Sequence, residues 1–173
     1  MIAALQGTIF ASIQNPLTLM TGGVGYAVHV PEKILTHVGI GDTIILYTHT
    51  YVREDAIELY GFETREELFL FQLLLAVSGI GPRTSLLVVN RGVNETEHAI
   101  SVADVDFFTD IPRLGKKNAQ KIIIELKSKL GSIRDLDLQS DNDGETKQVS
   151  DALTGMGFAK KRNSWGTETV NGR

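Results

Sequence analysis

Two short stretches hold the residues best suited to chemistry. The first is Val77-Ser78-Gly79-Ile80-Gly81-Pro82-Arg83, the second Ile111-Pro112-Arg113-Leu114-Gly115-Lys116-Lys117-Asn118-Ala119. Aligned so that Gly79 and Gly81 meet Arg113 and Gly115, they lie 34 residues apart. In each, a tight apolar turn joins two predicted helices, and the second helix opens with basic or small polar residues. The chemistry this suits is anion binding. A helix N-terminus leaves backbone N–H groups unpaired and carries positive partial charge. Glycine lets a phosphate reach the backbone without a side chain in the way. Lys116 and Lys117 oppose the helix dipole unless an anion neutralises them. A pair of such turns would grip backbone phosphates without reading bases. A plain tight connection between helices is the competing reading for either turn alone.

Other chemistries find less support. Gly115-Lys116 resembles part of a P-loop, but Asp110 stands where that motif needs its first glycine, and Lys117 replaces the required Ser or Thr. The histidines, His29, His37, His49 and His98, show no metal-ligand spacing, and His29 and His49 fall in predicted strands. No Gly-x-Ser-x-Gly elbow occurs. Glu54 and Asp55 sit at a predicted hairpin tip. Adjacent strand residues point to opposite faces, which suits them poorly to paired acid–base work. They read either as a solvated turn or as charges that keep phosphates away.

The elements that must position these residues follow from periodicity. Leu17–Met20, Tyr26–Val30 and Thr43–Tyr47 are short β-branched and aromatic runs, separated by the turn signals Asn15-Pro16, Gly22-Gly23 and Gly39–Asp42. About five strands in residues 1–62 predict a small closed or nearly closed barrel, with a sandwich as the alternative. At Thr64 the period changes. Thr64 with Glu67 forms a capping-box pattern, and Leu68, Phe71, Leu74 and Leu75 recur at helical spacing. Pro82 suits a helix first turn, Asn94 with Glu97 repeats the cap signature, and Asp104 can start a short helix. A last helix carries the stripe Ala119, Ile122, Ile123, Leu126 and Leu130, with Gly131 as its predicted stop. Residues 63–131 thus predict a compact all-helical unit. Residues 132–147 read as a flexible acidic linker, and 148–173 as a short, incomplete helical domain with one helix over 149–160.

Composition agrees with a packed soluble protein. Of 173 residues 42% are apolar and 22% charged, with formal net charge −4. Overall acidity excludes a uniformly basic coat but not a local patch. Residues 111–131 carry six basic residues and one acidic, so positive charge gathers at the second turn. There are no cysteines, hence no thiol chemistry or disulfides. No apolar run approaches bilayer length and no signal peptide is evident, so the expected location is the cytoplasm, away from membranes. No cofactor is expected. The open alternatives are a generic binder of duplex or single-stranded DNA, an oligomeric scaffold without DNA binding, and, least supported, an enzyme.

The chain resembles the RuvA family, the Holliday-junction-binding subunits of the bacterial RuvAB branch-migration complex. The resemblance rests on Met1-Ile2, Gly22-Gly23-Val24-Gly25-Tyr26, Tyr47-Thr48-His49, Val52-Arg53-Glu54-Asp55-Ala56 and Leu59-Tyr60-Gly61-Phe62. It continues through Gly79-Ile80-Gly81-Pro82, Gly115-Lys116-Lys117 and Ile124-Glu125-Leu126-Lys127. It covers about residues 1–131. It implies an OB-fold barrel as domain I and two helix-hairpin-helix motifs as domain II. It implies DNA contacts from Gly79, Gly81, Arg83, Gly115, Lys116 and Lys117, and an acidic pin at Glu54 and Asp55 that helps guide strand separation. It further implies a homotetramer or two stacked tetramers, a RuvB motor that hydrolyses ATP and is contacted by the C-terminal domain, and a RuvC resolvase partner. The chain itself would then be no enzyme. Two departures stand out. Arg113 occupies a position where the family pattern has glycine. Asp151–Phe158 resembles the start of the family's three-helix C-terminal domain, but the residues after Lys161 do not, so the resemblance behind the RuvB contact stops short of the end of the chain.

Overall fold

A computed structural model describes residues 1–10, 14–141, 159–162 and 168–171. Five strands close a barrel: β1 (Ala4–Ile9), β2 (Leu17–Thr21), β3 (Val24–His29), β4 (Thr43–Val52) and β5 (Ile57–Phe62), in the order β1-β2-β3-β5-β4 with β1 pairing back to β4. Every pairing is antiparallel except β3 with β5. Closure leaves no long edge for another chain to pair with. Alternation does the sorting: Leu5 and Ile9 of β1 point inward between exposed Ala4, Gln6 and Thr8. They meet Leu17, Leu19, Val28, Leu46 and Leu59 in one apolar core. A short helix not foreseen from the sequence, α1 (Glu32–Leu35), follows β3 and buries Ile34 against that core. Four residues are too few for a periodicity to show.

The helical part is α2 (Arg65–Leu75), α3 (Pro82–Asn90), α4 (Val93–Val102), α5 (Val105–Thr109) and α6 (Lys116–Asp141). The capping box at α2 forms as its sequence predicts: Thr64 Oγ1 accepts from Glu67 N at 3.2 Å while Glu67 Oε2 accepts from Thr64 N at 3.4 Å. Pro82 takes the first turn of α3, and Asp104 caps α5 by accepting from Phe107 N. The cap expected from Asn94 and Glu97 does not form. Gly92, with φ of 108°, is the N-cap of α4, without a side-chain hydrogen bond, and Asn94 lies inside the helix. Gly92 O, for its part, accepts from Thr96 Oγ1 at 2.6 Å and from Thr96 N at 3.2 Å.

The boundary expected between residues 62 and 63 falls between β5 and α2, yet the packing runs across it. Phe71 of α2 is fully buried, its ring 5.1 Å from Tyr60 and 4.9 Å from Phe62 of β5. His49 of β4 meets it edge-on at 5.7 Å. Residues 1–128 accordingly form one compact unit and 129–173 a second. The linker expected to begin at residue 132 is also displaced, because α6 continues to Asp141 and Gly131 does not stop it. A glycine inside a helix costs only about 1 kcal/mol relative to alanine, and Leu130, Ile133, Arg134, Leu136 and Leu138 offer no breaker beside it. In the C-terminal unit, beyond the end of α6, the described residues form an antiparallel pair, β6 (Ala159–Arg162) with β7 (Glu168–Asn171). Of the helix expected over 149–160, residues 159 and 160 belong to β6 and the rest lie outside the described residues. Among the described residues, no helix is long and apolar enough to cross a membrane.

Candidate nucleic-acid interface

The 34-residue repeat is structural. In the first turn Val77 N donates to Leu74 O, Ile80 N to Val77 O, and Ser85 N to Gly81 O, at 3.0, 3.1 and 3.0 Å. In the second, Ile111 N donates to Phe108 O, Leu114 N to Ile111 O, and Ala119 N to Gly115 O, at 3.0, 3.1 and 3.1 Å. The buried positions also correspond: Leu74 with Phe108, Val77 with Ile111, Ile80 with Leu114, Ser85 with Ala119, Val88 with Ile122. Apolar anchors therefore pin each turn while its glycines face outward. Gly81 and Gly115 are exposed, and a Cβ at either would meet nothing within 4 Å, so a ligand can approach the backbone there unobstructed. The two turns are neighbours, since Lys121 Nζ of α6 donates to Ser78 O at 3.4 Å and Asn118 Oδ1 lies beside Gly79.

The left-handed position of each turn explains the glycine preference. Gly79 has φ of 89°, and its counterpart Arg113 has φ of 69°. A non-glycine residue pays about 1–2 kcal/mol there, because Cβ crowds the following carbonyl. The departure noticed in the sequence is thus a real backbone strain, confined to the second turn.

Charge is distributed around this frame. Lys116 and Lys117 are the first residues of α6, both exposed, and neither makes an ion pair within 4.0 Å among the described residues. Arg83 occupies the matching place on α3 and is exposed. Glu54 and Asp55 form the tip of the β4–β5 hairpin, closed by Arg53 N donating to Ala56 O at 2.8 Å, and both are exposed. Asp55 has one loose neighbour, Arg53 Nε at 3.9 Å.

Two cavities connect the barrel with the hairpins. One, of about 230 Å³, lies between Tyr51, Arg53, Glu58 and Tyr60 of the barrel and Gly81–Thr84 of the first hairpin. The other, of about 360 Å³, is lined by His29 and Tyr60, by Arg83, Leu86 and Leu87 of α3, and by Arg113. Lys116 and Lys117 line neither. Glu58 is held by the Tyr60 hydroxyl, which donates to its Oε2 at 3.0 Å, with Arg53 at 4.0 Å. Burial, then that hydrogen bond, pushes the Tyr60 phenol well above its ordinary range. Burial lowers the pKa of His29, opposed by Glu58 and assisted by Arg83, and burial alone lowers that of His49. Both rings are barrel residues packed on aromatics, His29 stacked on Tyr60 at 5.2 Å. Sequence reasoning passed over Tyr51, Arg53, Glu58 and Tyr60. A signal was present: residues two apart on a strand share a face, and Tyr51 pairs directly with Glu58 across the ladder.

Comparison with known proteins agrees with this geometry. Residues 1–61 match the family model described as the RuvA N terminal domain, and residues 71–128 the one described as a SAM-like helix-hairpin-helix tandem. The chain is 38% identical over 164 residues to a protein of Herpetosiphon aurantiacus named Holliday junction branch migration complex subunit RuvA, covering 92% of this chain and 83% of that one. Proteins of the same name from Laribacter hongkongensis and Natranaerobius thermophilus are 34% and 32% identical, covering 93% and 100% of this chain and 86% and 90% of theirs.

Proposed function

This chain belongs to the RuvA family, and from that premise we propose that it is the DNA-binding, non-enzymatic subunit of a branch migration complex, gripping the arms of a four-way Holliday junction by their phosphates. The observation that carries this reading is the doubled hairpin. Two turns with matching hydrogen bonds stand side by side, each with an outward glycine and a cation at the start of its following helix. Gly79, Gly81 and Arg83 serve one grip; Gly115, Lys116 and Lys117 serve the other. Backbone N–H groups and helix dipoles hold the anion, and the side chains add charge. Such contacts fix the duplex in place without reading its sequence, as a protein that meets any junction requires.

Glu54 and Asp55 act as the acidic pin. Their carboxylates stand exposed at the tip of a rigid hairpin whose other end is built into the shared core. Negative charge there disfavours close phosphate approach at the crossover while the hairpins attract the arms. Several copies, as a tetramer or two stacked tetramers, would bring the grips together and let an acidic chain present one basic face. Hydrolysis of ATP falls to the RuvB motor, RuvC acts as the resolving partner, and the cytoplasm is the site of action.

The test is binding to a synthetic four-way junction against linear duplex of equal length, across a salt series. A junction preference that decays with salt is expected. Equal affinity for both DNAs would reduce the protein to a generic DNA binder, and salt-insensitive or absent binding would refute the phosphate grip.

A further inference from the structure

The cavity of about 360 Å³ holds a feature that the family pattern does not supply. Arg83 comes from the first hairpin and Arg113 from the second, and both line it. They are 30 positions apart in sequence and contribute to the lining of one cavity. The other arginines of this region have acidic neighbours: Arg53 faces Asp55 and Glu58, and Arg91 faces Asp110. Arg83 and Arg113 have no carboxylate within 4.0 Å among the described residues. Two guanidinium groups facing one space repel each other unless an anion sits between them.

The remaining lining narrows the ligand. Asn15 is spent, its amide bonded to Val30 O at 2.7 Å and to Val30 N at 3.2 Å. His29 is stacked on Tyr60, and burial disfavours its protonation. Pro16, Leu86 and Leu87 supply apolar wall, which weakens the screening of any charge pair formed there. What is offered to a ligand is therefore two planar forks of N–H donors against an apolar backing, a geometry that matches phosphate oxygens. The strain at Arg113 points the same way. Its φ of 69° is one that glycine adopts freely and arginine does not, and strained residues of this kind cluster at functional sites.

We propose that Arg83 and Arg113 form a single clamp for one backbone phosphodiester of the bound DNA, so that the second hairpin of this chain holds its strand through a side chain at the position where a glycine backbone would otherwise stand. The proposal rests on the reading that the chain binds junction DNA, and it adds a contact to that reading.

The experiment compares the full-length chain with Arg113→Gly, Arg83→Ala and the double variant Arg83→Ala/Arg113→Gly, by fluorescence anisotropy on labelled four-way junction across a salt series, with melting temperature measured in parallel. Arg113→Gly is expected to melt higher, because the strain is relieved, yet to bind roughly tenfold more weakly, as for the loss of one charged hydrogen-bonded contact. Its plot of log affinity against log salt should become shallower by about 0.9 for each protomer engaged. Because both arginines hold one phosphate, the double variant should lose clearly less than the product of the two single losses. An Arg113→Gly protein that melts higher but keeps the parent's affinity and salt slope overturns the clamp, as do strictly multiplicative losses. Either result would leave junction binding by the parent intact, whereas a parent protein without salt-sensitive binding would refute the underlying reading as well.

Discussion

Replacing Phe71 by alanine tests whether the barrel and the hairpins are one mechanical object. Phe71 is completely buried and meets three rings, Phe62 at 4.9 Å, Tyr60 at 5.1 Å and His49 at 5.7 Å. Truncating a buried phenylalanine costs about 3–5 kcal/mol, and the upper half of that range applies where aromatic pairs are lost together with the packing. For a cooperative unit of this size, each kcal/mol lowers the melting point by roughly 3 °C, so a fall of about 12–15 °C is expected. The assay needs separate reporters for the two parts, and the sequence provides them. All four tyrosines, Tyr26, Tyr47, Tyr51 and Tyr60, lie on β3, β4 or β5. Near-ultraviolet circular dichroism in a Trp165→Phe background therefore follows the barrel, while the far-ultraviolet signal at the helical minimum follows α2–α6. Both signals should move together in Phe71→Ala, at fixed protein concentration so that any assembly contributes equally. A barrel transition left in place while the helical transition shifts would refute the shared core. It would also remove the physical basis for treating Glu54 and Asp55 as rigidly placed relative to the hairpins.

Other expectations follow from the charges. Lys116→Ala with Lys117→Ala should weaken junction binding and make the salt slope shallower by about 1.8 per engaged protomer, while urea denaturation shows α6 no less stable, because two cations leave its positive pole. Glu54→Ala with Asp55→Ala should keep or tighten junction binding in the anisotropy assay yet disturb branch migration in a strand-exchange gel; loss of binding would make the pair structural. Protonated His37 donates through Nε2 to Glu63 Oε1 at 2.8 Å and through Nδ1 to Lys33 O at 2.8 Å, and the Glu63 contact raises its pKa above 6.5. Its stabilisation is complete below that value and disappears as pH rises through the raised one, so His37→Gln should flatten the decline of melting temperature above pH 6.5. His29 and His49, lowered by burial, act with the opposite sign: their contribution is full above 6.5 and is lost as pH falls, so acid should destabilise the parent through them.

Much of this was legible before any coordinates, for identifiable reasons. Three strands announced themselves as short β-branched and aromatic runs bounded by turn residues, which became β2, β3 and β4, whereas β1, with Gly7 at its centre, carried no such run. The start of α2 was legible because a capping box uses residues three apart, and the doubled hairpin because repetition at 34 residues needs no knowledge of what packs where. What escaped was set by contacts between distant residues. Nothing local in Phe71 says that its ring will lie on Tyr60, and so nothing local says that the barrel and the helices share a core. Nor does Gly131 say whether it ends a helix or is tolerated inside one. The cap at Asn94 failed for a related reason: the pattern requires only two residue types, while the preceding Gly92 had already taken the cap position with a conformation open to glycine.

Arg113 shows where the two kinds of information meet. The sequence marks it as the wrong residue for its turn, and the backbone confirms the strain, with φ in the left-handed region. Neither observation says whether the substitution damages the hairpin or extends it. If it were only damage, the guanidinium would be free to lie anywhere on the surface. Instead it lines the same cavity as Arg83, whose place in the first hairpin corresponds to Lys117 in the second, not to Arg113. The repeat alone would never pair these two arginines. Their meeting depends on the way α3 and the second turn pack against the barrel at His29 and Tyr60. A cost of about 1–2 kcal/mol per chain in backbone strain is smaller than the roughly 1.5–3 kcal/mol that a charged hydrogen-bonded contact contributes. The balance is therefore unfavourable in the free protein and favourable on DNA, so the side chain at position 113 should lower stability and raise affinity at once.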